Sequence, residues 1–379
     1  AARDASLEIV HRGALLAQLM QGRRGIAIAG THGKTTTTAM IACALEAAGL
    51  DPTVAVGGER VDTQSNAREG RGEWFVAESD ESDRSFLEMR PEIALVTNVE
   101  NDHVVSDHEF GVLLDAFEKF LASVPANGLA LVGIDEARAA ELARRPRAAL
   151  TRTFGFAESN VRARGVTYQN FGSRFDVIVD GAEAGEIRLP IPGAYNVANA
   201  LAAIAAGLAA KVPFETLAAS LATFRGVRRR FEILARSPRL TLVDDYAHHP
   251  TAVAAVLGAA REQFAGPIVA VFQPHRYSRT RYLAADFARA LRSADRVVLT
   301  DVYAASEAPL ADVDAQTIGR PLVALGADVA YVARVEDLPA YLLEHAPAGA
   351  LVLMLGAGSI TAAAERLAAE LEGAGALVP

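Results

Sequence analysis

The run Gly25-Ile-Ala-Ile-Ala-Gly30-Thr-His-Gly33-Lys34-Thr35-Thr-Thr-Thr38 decides how the rest of this chain is read. It reads as a buried strand, a tight glycine turn and the start of a helix. Gly30 and Gly33 let the backbone turn with its N–H groups pointing inward, and the helix opening at Thr35 presents its positive dipole end. Lys34 adds a full charge, so the run is built to cradle an oligophosphate. The hydroxyl of Thr35 then faces a Mg2+ ion shared with the phosphates. A full phosphate loop would carry a glycine at Ile28, so the match is the shorter G-x-x-G-K-T. An ordinary glycine turn is the plain alternative, and the strand before and helix after argue against it.

Working outward, short apolar runs at Thr53 to Val56, Trp74 to Ala77 and Ile93 to Thr97 suit buried strands of a parallel sheet, whose working loops lie at the strands' carboxyl ends. The second run leads into Glu78-Ser-Asp80-Glu81-Ser-Asp83 and the third into Asn98-Val-Glu100-Asn-Asp102-His103. Glu78 stands where an ATPase places a carboxylate to hold Mg2+, and His103 is a candidate ligand of a second cation, with Asp102 orienting it. Residues 1–21 are expected to form a lead-in helix with Leu7, Val10, Ala14, Leu15 and Leu19 on its apolar face. Phe110 to Val124 predicts an amphipathic helix, and Thr151 to Pro190 a small antiparallel excursion.

A boundary is expected at Gly226 to Phe231, giving one domain over 1–227 and a second over 228–379. Beyond it a fresh alternation of strands and helices predicts a Rossmann-like, doubly wound α/β domain. One strand end there carries Asp244-Asp245-Tyr246-Ala-His248-His249-Pro250, and the next carries Gln273-Pro-His275-Arg276-Tyr277-Ser-Arg279-Thr-Arg281. Arginine forks bind carboxylate or phosphate bidentately, which suits an anionic substrate.

The totals bound the alternatives. The chain has 379 residues, 51% of them apolar, enough for two or three domains with large cores. A formal charge of −9 argues against a sequence-independent grip on nucleic acid. One cysteine, Cys43, excludes an internal disulfide framework and fits a reducing, cytoplasmic setting; its place in the helix after the loop predicts core packing. No apolar run of about 18 residues suggests a membrane span.

Taken together, Gly30-Thr-His-Gly-Lys-Thr-Thr36, Glu78-Ser-Asp-Glu-Ser-Asp83, Thr97-Asn-Val-Glu-Asn-Asp-His103, Tyr195-Asn-Val-Ala-Asn199, Arg229-Arg-Phe-Glu232, Asp244-Asp-Tyr-Ala-His-His-Pro250, Phe272-Gln-Pro-His-Arg-Tyr-Ser-Arg-Thr-Arg281 and Asp301-Val-Tyr-Ala-Ala-Ser-Glu307 resemble the Mur ligases. The resemblance implies a central P-loop ATPase domain followed by a Rossmann-like domain, and an ATP-dependent, ADP-forming amide synthesis in peptidoglycan precursor assembly. It points to the branch joining L-alanine to UDP-N-acetylmuramate through an acyl phosphate. It further implies that Gly30, Thr31, His32, Gly33, Lys34, Thr35 and Thr36 hold the ATP phosphates. Thr35, Glu78 and His103 would ligate Mg2+, with Lys34, Glu78 and His103 forming the catalytic group. Asn196 would contact adenine and Arg230 a nucleotide phosphate. Tyr246, His248, Arg276 and Arg279 would surround the ATP ribose or adenine and the amino acid, with those roles undivided.

Two departures stand out. Tyr195 replaces the family's usual histidine. Mur ligases also carry a UDP-binding domain before the phosphate loop, whereas only 29 residues precede Gly30 here. The expectation is therefore a fragment of a longer protein. Alternatives are a ligase that attaches a ready-made tripeptide to the same nucleotide, or a nucleotide-binding piece without ligase activity.

Overall fold

The computed structural model describes residues 9–81, 84–100, 107–373 and 375. It divides into two compact units, one running to Thr167 and resuming over Gly172–Val227, the other holding Tyr168–Phe171 and the chain from Arg228 onward.

In the first unit the strands are β1 (Arg24–Ala29), β2 (Thr53–Arg60), β3 (Ser65–Arg68), β4 (Trp74–Glu78), β5 (Ile93–Val96), β6 (Leu129–Gly133), β7 (Leu150–Gly155), β8 (Val161–Gln169), β9 (Gly172–Val179) and β10 (Ala182–Leu189). They form one sheet in the order β10-β9-β8-β7-β6-β5-β1-β4-β2-β3. The helices are α1 (Arg12–Met20), α2 (Lys34–Ala47), α3 (Asp107–Ala122), α4 (Ala137–Arg144), α5 (Ala194–Ala209) and α6 (Phe214–Ala222). The centre of the sheet is parallel, with β1 paired to β4 on one side and β5 on the other.

Both faces of that centre are covered, which is why its strands read as unbroken apolar runs. Ala27, Ala29, Ala94, Val96, Ala130 and Val132 pack with Phe117, Phe120 and Leu121 of α3 and Leu142 of α4. Ile26 and Ile28 alternate with these and face the other way, fully buried. Phe86 anchors the first core, its ring 5.3 Å from Phe117 and 5.2 Å from Phe120.

One expectation changes here, one is met, and one strand goes beyond them. The lead-in helix is described as α1 only, and it turns Gly13 and Met20 inward while Leu15 and Leu19 are 47% and 57% exposed. Helical spacing had nominated the leucines, but the side resting on the core carries Met20 with the half-buried Leu16 and Ala17. The segment from Thr151 to Pro190 holds the expected antiparallel excursion in β9 and β10 at the end of the sheet, while β7, at its start, pairs parallel with β6 and β8. The edge strand β3, antiparallel to β2, had no apolar alternation to announce it, because three of its four residues face solvent.

The second unit holds β11 (Glu232–Arg236), β12 (Leu240–Asp245), β13 (Ile268–Phe272), β14 (Arg296–Leu299), β15 (Val329–Tyr331) and β16 (Ala350–Leu355), in the order β11-β12-β16-β13-β14-β15. Only β11 runs antiparallel to its neighbour. On one face lie α7 (Pro250–Gln263), α9 (Ala284–Leu291) and α10 (Gln316–Ala324) through Val253, Leu257, Phe287, Leu291 and Ile318. On the other lie α11 (Leu338–His345) and α12 (Ile360–Gly373) through Leu338, Leu342, Ala364 and Leu367. A short helix, α8 (Tyr277–Tyr282), follows β13. The whole is mixed α/β, a large mostly parallel sheet and a second, doubly wound one. No helix among the described residues is long and apolar enough to cross a membrane.

Candidate functional site

The chain visits β2 and β4 on one side of β1 and then crosses to β5 on the other, so the loops after β4, β1 and β5 lie side by side. Backbone bonds lock them together. Ser79 N donates to Ile28 O at 2.8 Å, Thr97 N to Ala29 O at 3.0 Å and Thr31 N to Asn98 O at 3.1 Å.

Within the phosphate loop, Gly33 caps α2 with φ 82°, a conformation that L-residues rarely adopt. Its place also leaves no room for a side chain, since a Cβ would fall 2.3 Å from Asn199 Oδ1. His32 is gripped at both backbone groups: its N–H donates to Asn98 Oδ1 at 2.9 Å, and its carbonyl accepts from Thr97 Oγ1 at 2.6 Å. Its ring nitrogen lies 3.6 Å from the Glu100 carboxylate. Thr31 Oγ1 accepts from Glu100 N at 2.9 Å, and Thr36 is buried in the first turn of α2.

Lys34 Nζ curls back over the loop, donating to Gly30 O at 2.6 Å and lying 2.7 Å from a Glu81 oxygen. Glu81 is only 6% exposed. Burial pushes its carboxyl above the usual range while the Lys34 charge opposes that shift. The lysine is what makes a carboxylate tolerable there.

Thr35 Oγ1 and Glu78 Oε1 are 3.1 Å apart, and Gly57 N donates to Glu78 Oε2 at 2.7 Å. Two hard oxygens therefore converge at the mouth of the loop, a pair that could contribute to holding a divalent cation. Among the described residues no group of three or more His, Cys, Asp or Glu is arranged to hold a metal ion. His103 lies outside the described residues.

Asn196 is 2% exposed, its Nδ2 donating to Pro192 O at 2.7 Å and its Oδ1 accepting from Asn199. Asn199 in turn accepts from Thr37 Oγ1 at 3.2 Å, which ties α5 to α2 beneath the loop.

In the second unit, Tyr246, His248, His275 and Tyr303 form a ladder of rings at centroid spacings of 5.1, 5.4 and 5.6 Å. Arg229 and Arg230 lie over the Tyr246 ring at 5.0 and 4.9 Å. Asp245 is buried, its two oxygens accepting from Phe231 N and Ala247 N, and burial pushes its carboxyl up to about 6. Arg279 Nη1 lies 3.3 Å from His275 Nδ1. Burial, with Arg279 and Arg276 beside it, pushes the His275 imidazole down to about 4, so it is neutral at physiological pH. Arg276 is exposed, at φ 68°.

The strand-end loops thus bring Gly30, Thr31, His32, Gly33, Lys34, Thr35, Thr36 and Glu78 together in the first unit, and Arg230, Tyr246, His248, Arg276 and Arg279 into the strand-end loops of the second. Sequence reasoning missed the individual parts of Asn98, Glu81, Gly57, Tyr303 and Glu307. Glu81 carried a signal as one acid in a run of four, and Asn98, Tyr303 and Glu307 lay inside motifs already singled out; Gly57 carried none.

Residues 28–207 match the Mur ligase middle domain, and residues 229–358 match the Mur ligase glutamate ligase domain. The chain is 46% identical over 376 residues to the UDP-N-acetylmuramate–L-alanine ligase of Acidithiobacillus ferrooxidans, covering 96% of this chain and 80% of that protein. It is 41% identical over 373 residues to the same-named ligase of Pelotomaculum thermopropionicum, covering 98% and 81%. The crystal structure of UDP-N-acetylmuramate-alanine ligase from Thermotoga maritima superimposes with a TM-score of 0.83 at 29% identity, covering 98% of this chain and 81% of that one. The chain belongs to the Mur ligase family.

Proposed function

We propose that this protein joins L-alanine to the carboxylate of UDP-N-acetylmuramate, converting ATP to ADP and phosphate. The observation that carries the reading is the phosphate loop itself, with Lys34 over its backbone and Thr35 and Glu78 converging at its mouth. The identity to alanine-adding ligases along nearly the whole chain supports the choice of substrates.

The loop amides of Gly30 to Thr36 and Lys34 hold the β and γ phosphates of ATP. The muramate carboxylate oxygen attacks the γ phosphorus, the bond to the β-bridging oxygen breaks, and ADP leaves an acyl phosphate. The amine of L-alanine then attacks the acyl carbon, loses a proton and expels phosphate. Positioning and charge neutralisation do most of the work in such a transfer. Thr35 and Glu78 would hold Mg2+, with His103 as a further ligand; the ion would neutralise charge building on the transferring phosphoryl group. Asn196 and Arg230 are assigned to the nucleotide. Arg276 and Arg279, with Tyr246 and His248 beside them, are assigned to the amino acid, whose carboxylate suits a guanidinium fork. A cytoplasmic site of action follows from these substrates.

Phosphate release, with UDP-N-acetylmuramate and ATP present and L-alanine, glycine, L-serine or a tripeptide offered in turn, tests the reading. Release should depend on all three substrates, favour L-alanine and vanish in Lys34→Ala. Turnover with the tripeptide alone would replace it by the recycling reaction, and normal turnover in Lys34→Ala would overturn the assignment of the loop.

A further inference from the structure

We infer that the segment Tyr303–Glu307, after β14, is a clasp that fixes the aim of Arg276 and Arg279, and that Glu307 is its closing residue. The inference rests on the assignment of those arginines to the amino-acid carboxylate. Glu307 touches no substrate in it; it is a positioning residue.

The turn that follows β13 is held at both ends from this one neighbouring loop. At its start, Tyr303 N donates to Pro274 O and Arg276 N to Tyr303 O, each at 2.8 Å, and the His275 and Tyr303 rings stack at 17°. At its end, Ser278 N donates to Glu307 Oε2 at 3.0 Å and Ser278 Oγ to Glu307 Oε1 at 2.6 Å. The carboxylate is thus committed to the short stretch between the two arginines, to Ser278 through both oxygens and to the Tyr277 backbone as well.

Each arginine depends on this strap by a separate route. Arg276 has its own backbone N–H tied to Tyr303, while its exposed guanidinium lies near enough to Glu307 to favour that carboxylate's charged form. Arg279 meets the His275 ring, and that ring is fixed by Tyr303.

The backbone is bent unusually to make the clasp. Ala305 and Ser306 are consecutive residues at φ 48° and 70°, and Arg276 sits at φ 68°. Non-glycine residues persist in that region only where their surroundings over-determine them, and such strain gathers at sites that must hold a geometry. Here the strained pair delivers Glu307, whose own N–H donates to Ala304 O at 3.0 Å, onto Ser278.

The test compares Glu307→Ala and Glu307→Gln in the full chain by phosphate release, varying L-alanine at saturating ATP and muramate nucleotide. Losing charge-assisted bonds to Ser278 should raise KM for L-alanine about tenfold or more in Glu307→Ala, with KM for ATP unchanged. Glu307→Gln keeps an oxygen for the Ser278 N–H and should recover much of the loss. A second readout needs no turnover: trypsin should cut after Arg276 and Arg279 several-fold faster in Glu307→Ala, with Glu307→Gln between. Unchanged KM for L-alanine, a parallel rise in KM for ATP, or unchanged cleavage would overturn the clasp. The expected order of cleavage among the three proteins, in a wild type that never turns over L-alanine, would instead sink the functional reading and leave the clasp standing.

Discussion

Replacing Gly33 by alanine should damage the phosphate seat by an amount the geometry allows to be worked out. An L-residue forced to φ 82° costs roughly 1–2 kcal/mol. The new Cβ would also sit 2.3 Å from Asn199 Oδ1 and 3.2 Å from Asn199 Cγ, so one of the two must move. Asn199 has little freedom to retreat. It is 6% exposed, accepting from Thr37 and donating to Asn196, both at 3.2 Å. Giving up one or both bonds adds about 0.5–1.5 kcal/mol each, for a total of about 1.5–5 kcal/mol. If all of it fell on nucleotide binding, ATP affinity would drop about tenfold to several thousandfold. Two controls separate the terms. Gly49 has φ 71° with nothing within 4 Å of a built Cβ, so Gly49→Ala carries the strain alone. Gly258 is exposed inside α7 with nothing near, so Gly258→Ala should stabilise by about 0.5–1 kcal/mol. Thermal denaturation and calorimetric titration with ATP give the readouts. Melting should fall in the order Gly258→Ala, wild type, Gly49→Ala, Gly33→Ala, with ATP affinity lost only in the last. A Gly33→Ala protein that binds ATP as tightly as wild type and melts no lower than Gly49→Ala would refute the reasoning.

Removing the Glu78 carboxylate deprives Thr35 Oγ1 and Gly57 N of their acceptor, so Glu78→Ala should raise the Mg2+ concentration for half-maximal phosphate release about tenfold or abolish turnover; an unaltered Mg2+ titration would remove Glu78 from the metal. His275 should titrate near 4 rather than 6.5 when followed by NMR through its imidazole protons. Because the unfolded chain takes up a proton that the native imidazole refuses, this group makes stability fall as pH drops from about 6.5 to 4, and His275→Asn should flatten that slope. A His275 midpoint above 6 would contradict the buried, arginine-flanked placement. Arg60, 4% exposed, bonds Glu46 at 2.8 Å and Asp62 at 2.6 Å. Arg60→Met should destabilise by about 2–3 kcal/mol in urea titration, below the fully buried case because both acids keep partial contact with water; a change under about 0.5 kcal/mol would mark the network as energetically idle.

The phosphate loop and the α/β alternation were legible because they are local. A strand, a glycine turn and a helix start need only neighbouring residues, and a strand buried on both faces must be apolar throughout. The edge strand β3 escaped for the opposite reason: it buries little, so its sequence carries no periodicity. The inward face of α1 escaped because apolar spacing shows which residues could share a buried face, while the surface the helix meets settles which do.

The site's internal wiring was legible in outline only. The acidic run promised a carboxylate near Lys34, but nothing in Glu78-Ser-Asp80-Glu81 distinguishes Glu81, buried against the ammonium, from Asp80, whose side chain is 37% exposed. Those choices follow from strand order. Because β1 lies between β4 and β5, a carboxylate 47 residues beyond Lys34 and an amide 66 residues beyond His32 arrive at the same turn from opposite sides. The same holds in the second unit, where β14 beside β13 brings Glu307 to Ser278 across 29 residues. A one-dimensional pattern lists the loops that could meet. The sheet decides which of them do, and the chemistry is drawn from those that touch.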